Sequence, residues 1–100
     1  MFKKKELLKV KSIVVDPETM RDLKTAEEFC NRGMAYYARK KLDLAEKDLI
    51  TAVTMNGEMV DAFYALGMVY KSAAKNEEAV RAFETVLELL GQGVVKNANR

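Results

Sequence analysis

From Pro17 to Leu90 apolar residues recur at intervals of three and four, which lines them along one side of an α-helix. The rhythm breaks near Lys40-Lys41-Leu42, near Asn56-Gly57-Glu58 and near Lys75-Asn76, and it stops at Gly91-Gln92-Gly93. The pattern predicts four helices over residues 17–40, 43–56, 59–74 and 76–90. Asp16-Pro17-Glu18 reads as the first start: Asp16 caps free N–H groups, proline suits the first helical position, and Glu18 complements the positive helix end. Ahead of it the pattern stays open, because residues 6–11 suit a helix while Ile13-Val14-Val15 has strand chemistry. The body is all-α.

The chain matches itself at an offset of 34 residues. Phe29 falls on Phe63, Gly33 on Gly67, Tyr36 on Tyr70, Ala45 on Ala79, Leu49 on Phe83 and Gly57 on Gly91. Within each copy an aromatic residue is followed by glycine at +4, tyrosine at +7 and alanine at +16. This order and period resemble the tetratricopeptide repeat, W-x₂-L-G-x₂-Y…A-x₃-F…P. Copy one reads Phe29-x₂-Arg32-Gly33-x₂-Tyr36…Ala45-x₃-Leu49. Copy two, the closer match, reads Phe63-x₂-Leu66-Gly67-x₂-Tyr70…Ala79-x₃-Phe83.

The resemblance implies two tandem antiparallel helix-turn-helix repeats, about 26–59 and 60–91, in a helical domain over 16–91. A leader (1–15) and a short tail (92–100) flank it. Glycine inside a helix costs about 1 kcal/mol relative to alanine, so Gly33 and Gly67 imply close approach of the paired helices. Ala45 and Ala79 are the expected small partners, with Phe29, Tyr36, Phe63 and Tyr70 filling the flanks and Leu49 and Phe83 completing the second helices. Three departures from the pattern stand out. Gly57 and Gly91 replace the usual proline and are expected to end helices in the left-handed conformation. Arg32 stands where an apolar residue is usual. The turns 39–42 and 73–76 lack the expected glycine.

Family register also implies a groove on the first helix of each repeat that holds a peptide segment or partner helix. Its expected residues are Glu27, Cys30, Asn31, Met34 and Tyr37 in copy one, and Asp61, Tyr64, Ala65, Met68 and Lys71 in copy two. Helical rotation sets Leu23, Cys30, Met34 and Tyr37 in one stripe, apart from Phe29, Gly33 and Tyr36. Methionine at both equivalent positions suits an adaptable apolar partner. One subclass of the family clamps chaperone-tail carboxylates with lysine and asparagine. Cys30 and Met34 occupy the positions of the clamp's first lysine and asparagine, so that activity is not expected.

Composition narrows the chemistry further. The 100 residues contain no histidine and one cysteine, which leaves neither the commonest general base nor a zinc-ligand set. No catalytic residue, metal or cofactor is expected. Glu27-Glu28 and Glu77-Glu78 are explained by helix starts, and Gly91-Gln92-Gly93 is followed by no helix that would cradle phosphate. The net charge is +2, yet residues 1–15 carry five lysines against one glutamate, so the rest is mildly acidic. Such a body does not predict nucleic-acid binding, and no apolar run approaches the ~18 residues of a membrane span. The expected setting is cytoplasmic and the expected partner a protein.

Two further readings concern the ends. Val80, Phe83, Leu87 and Leu90 form an apolar stripe with no third repeat to cover it, so Leu87 and Leu90 are a candidate homodimer face. The basic leader is a candidate tether to an anionic surface, which rising salt would weaken.

Overall fold

A computed structural model describes residues 16–98, with side chains through Gly91. The leader's candidate helix, strand and tether, and the side chains of the tail, lie outside the described residues. Among these residues the protein has four α-helices and no strand: α1 (Ala26–Ala38), α2 (Leu42–Met55), α3 (Val60–Ser72) and α4 (Asn76–Ala98). Helix α1 packs on α2 and α3 packs on α4, while α2 joins the two pairs by packing on α3.

The first helix starts nine residues later than the Asp16-Pro17-Glu18 signal predicts. Asp16 accepts from the Glu18 N–H at 3.0 Å, but it caps only a single 3₁₀ turn, Pro17–Thr19. Asp22 then takes φ 58°, a left-handed conformation that aspartate tolerates and that separates this turn from α1. The true start is a capping box. The Thr25 hydroxyl accepts from the Glu28 N–H at 3.1 Å, and the Glu28 carboxylate accepts from the Thr25 and Lys24 N–H groups at 3.0 and 2.7 Å. These two backbone bonds hold the Glu28 carboxyl below the usual carboxylate range. Leu23 therefore precedes α1 and does not belong to a stripe on it.

The turns within the two repeats are the same structure, 34 residues apart. Lys40 donates its N–H to the Tyr37 carbonyl and Lys41 to that of Tyr36. Ala74 donates to Lys71 and Lys75 to Tyr70. These paired bonds make a Schellman motif at the end of α1 and of α3, with the left-handed residue being Lys40 (φ 63°) in one and Ala74 (φ 62°) in the other. The glycine the turns lack is thus absent from the one position where its conformational freedom would help.

The glycines expected to end helices do not do so. No described glycine has positive φ. Helix α2 ends at Asn56, whose side-chain carbonyl accepts from the Glu58 N–H at 3.0 Å, and α4 continues through Gly91 to Ala98. An interior glycine weakens a helix without stopping it.

The core is built from small and medium side chains at the helix contacts. Ala45, Leu49, Ala52, Ala62 and Val69 are fully inaccessible to solvent. A Cβ placed on Gly33 would lie 2.7 Å from the Leu49 Cγ and 3.2 Å from the Ala45 carbonyl oxygen. One placed on Gly67 would run into the edge of the Phe83 ring. The close approach expected of both glycines is present, but in the second repeat the immediate partner is Phe83 and not Ala79, which is buried nearby. Tyr36 is buried, while Phe29, Phe63 and Tyr70 are half-buried around these contacts.

Candidate functional site

Repeating one helix pair at a fixed offset sets α1 and α3 side by side, although equivalent positions differ in exposure: Tyr64 is exposed where Cys30 is buried, and Ala65 is buried where Asn31 is exposed. Between them lies an open cavity of about 490 Å³, lined by Met34 and Tyr37 of α1 and by Asp61, Tyr64, Ala65 and Met68 of α3. All six were expected on the groove from sequence. The wall is apolar apart from the tyrosine hydroxyls and the Asp61 carboxylate. Met34 and Tyr64 are 41% and 54% exposed, so the surface is open to a macromolecule. Tyr64 also rests at a tilt against Phe83, with ring centroids 5.7 Å apart, so the glycine contact at Gly67 supports the groove wall from behind.

The other expected groove residues are placed differently. Glu27, Asn31 and Lys71 are exposed on the same two helices but do not line this cavity. Cys30 is a correction: it is 4% exposed, a core residue beneath the groove whose Sγ lies 3.8 Å from the Met34 sulfur. Burial pushes its thiol pKa up, and the Asp61 and Glu27 carboxylates push it further in the same direction. A thiol kept protonated in this way is a poor nucleophile.

A second open cavity, of about 510 Å³, adjoins the first at Tyr37 and is also lined by Ala38, Lys40, Leu42 and Ser72. The Tyr37 hydroxyl and Ser72 Oγ are 3.3 Å apart and bridge α1 to α3 at this point. Lys40 is the left-handed residue of the turn that joins α1 to α2, and it lines this cavity from there.

Sequence reasoning missed one ion pair, between half-buried Arg32 and buried Asp48. The Arg32 guanidinium donates to Asp48 on α2 from Nε at 2.7 Å and Nη2 at 2.9 Å, and from Nη1 to the Met20 carbonyl at 2.9 Å. It also lies over the Phe29 and Tyr36 rings at 5.7 and 5.9 Å. Asp48 is the one buried charged residue among those described. The 34-residue offset held the signal: Arg32 and Asp48 fall on Leu66 and Ala82, so a polar pair in copy one stands where copy two has an apolar pair.

Comparison with known proteins agrees with this architecture. The family described as Tetratricopeptide repeat matches residues 60–89, the α3–α4 pair. The second TPR of Spaghetti (RPAP3), solved bound to an HSP90 peptide, shares 38% identity at a TM-score of 0.65, over 68% of this chain and 59% of that one. The chain belongs to the tetratricopeptide-repeat family. Among human proteins, DnaJ homolog subfamily C member 7 is 30% identical over 81 residues, and RNA polymerase II-associated protein 3 is 39% identical over 59. Those matches span 81% and 59% of this chain but only 16% and 9% of the two relatives' own length. No described helix is long and apolar enough to cross a membrane.

Proposed function

We propose that this chain is a protein-interaction module, an adaptor or scaffold that holds a peptide segment or partner helix along the α1–α3 groove. The observation that carries the reading is the 490 Å³ cavity, to which equivalent methionines of both repeats contribute apolar, deformable surface. The solved relative bound to an HSP90 peptide supports a peptide as the kind of ligand. The acidic tail class itself is not expected, since Cys30 is buried and Met34 offers no amide where a carboxylate clamp needs donors. A cytoplasmic setting belongs to the same reading.

The test is selection of a displayed random 12-residue peptide library on the wild type and on the Met34→Glu/Met68→Glu variant. Enriched sequences should appear on the wild type and vanish on the variant, with helicity and melting temperature nearly unchanged. A variant that unfolds would mean that the methionines are core residues, and the groove reading would fall.

A second reading is favoured by α4. Val80, Leu87 and Leu90 are 54%, 70% and 63% exposed, a row of large apolar side chains on one helix. We infer that this face pairs with a second copy. Sedimentation across a wide concentration range should reveal self-association that Leu87→Lys weakens; a strictly monomeric wild type discards the dimer.

A further inference from the structure

The two adjoining cavities differ in their charge. Asp61 is the only ionisable carboxylate or ammonium group lining the first, and Lys40 the only one lining the second. Both are exposed, and neither makes an ion pair among the described residues. Their neighbours repeat the signs. Glu27 sits at the 34-residue equivalent of Asp61 at the start of α1, and Lys71 lies one residue before Ser72 at the end of α3. Neither acid is occupied in capping, because Glu28 closes the box on α1 and Met59 caps α3 without a side-chain bond. Asp61 and Glu27 both act on the Cys30 thiol beneath the groove, so the two carboxylates share one region.

Resting on the groove reading above, we propose that the groove selects an apolar segment of fixed polarity, with a basic residue at the Asp61 end and an acidic residue at the Lys40 end. Charge complementarity is the argument for this occupant. Methionine and tyrosine walls accept many apolar side chains equally, whereas two free opposite charges at the ends favour one direction of binding. Exposed pairs contribute little affinity each, so their effect is on register and direction.

The library selection tests it when repeated on Asp61→Lys and Lys40→Glu. Peptides enriched on the wild type should carry Lys or Arg at one end of an apolar stretch and Asp or Glu at the other. The expected bias is about two- to fivefold at each end. Asp61→Lys should reverse the preference at the first end alone, and Lys40→Glu at the second alone, with both variants melting like the wild type. Peptides that enrich, are lost on Met34→Glu/Met68→Glu, and show no charge bias or an unshifted one would overturn this inference while leaving the groove standing. No enrichment on the wild type would overturn both.

Discussion

Arg32 and Asp48 face each other across the α1–α2 contact as a two-pronged ion pair, with N···O distances of 2.7 and 2.9 Å. The hydrogen bonds to Asp48 raise the Arg32 pKa above its already high value, so the guanidinium stays charged throughout the accessible pH range. Its third bond, to the Met20 carbonyl, ties the segment before α1 onto the repeat. The pair's two side chains differ in access to water: 23% of the Arg32 side chain is exposed against 5% for Asp48.

That asymmetry ranks the single variants. Arg32→Leu strands a buried carboxylate and should cost about 3–5 kcal/mol. Asp48→Ala leaves a cation that still reaches water, the Met20 carbonyl and two aromatic rings, and should cost less. The double variant reproduces the Leu66/Ala82 pair of the second repeat and should unfold near the wild-type urea midpoint. A double-variant loss equal to the sum of the singles would show that the pair cannot be exchanged for apolar packing.

The helical glycines should rank by what a new Cβ meets. Gly33→Ala drives into Leu49, which is fully buried, and into the Ala45 backbone, so it should cost about 1–3 kcal/mol. Gly67→Ala meets only the far end of the half-buried Phe83 side chain, which can shift where the Ala45 backbone cannot, and should cost less. Gly57 has open space, with its nearest neighbour the Val53 carbonyl oxygen at 3.9 Å and no positive φ. Alanine there should be neutral or stabilising by up to about 1 kcal/mol. Thermal melts of the three variants check the order.

Ala74→Gly should stabilise. Ala74 is exposed and left-handed, so glycine loses no packing and relieves a Cβ penalty of about 1–2 kcal/mol. The greater freedom of glycine in the unfolded chain offsets part of this, leaving a net gain of about 0.5–1 kcal/mol. Ala73→Gly, at φ −89°, should destabilise instead. Urea denaturation of the pair distinguishes a real left-handed requirement from a general effect of glycine.

Glu28 sets an acid-sensitive contribution to stability. Its folded-state pKa is depressed by the Lys24 and Thr25 N–H groups, so its stabilising effect is complete above the ordinary carboxylate range of about 4.3. That effect is lost as pH falls through the lowered value. Glu28→Gln keeps an acceptor oxygen but does not titrate. The variant should therefore melt below the wild type at pH 7, and the gap should narrow as the pH is lowered toward 3. A constant gap would place the contribution in the side chain's shape and not in its charge.

The sequence by itself determined the helical class, the 34-residue repeat and the close approach at Gly33 and Gly67, and its register marked the six side chains that line the cavity between α1 and α3. Each follows from periodicity: a helix places residues at known angles, and a repeat copies those angles to the next pair. Tertiary structure decided what periodicity does not encode. Copy register put Cys30 on the groove, but the contact of α1 with its neighbours buried it, because exposure depends on what packs against a helix face. Asp16 and Thr25 are both good caps in sequence, and α1 begins at the one whose partner, Glu28, closes the box. Arg32 looked like a defect in the pattern until folding brought Asp48, sixteen residues away, against it. The left-handed turns at Lys40 and Ala74 form without glycine because tertiary packing of the helix pairs outweighs a local conformational cost of about 1–2 kcal/mol.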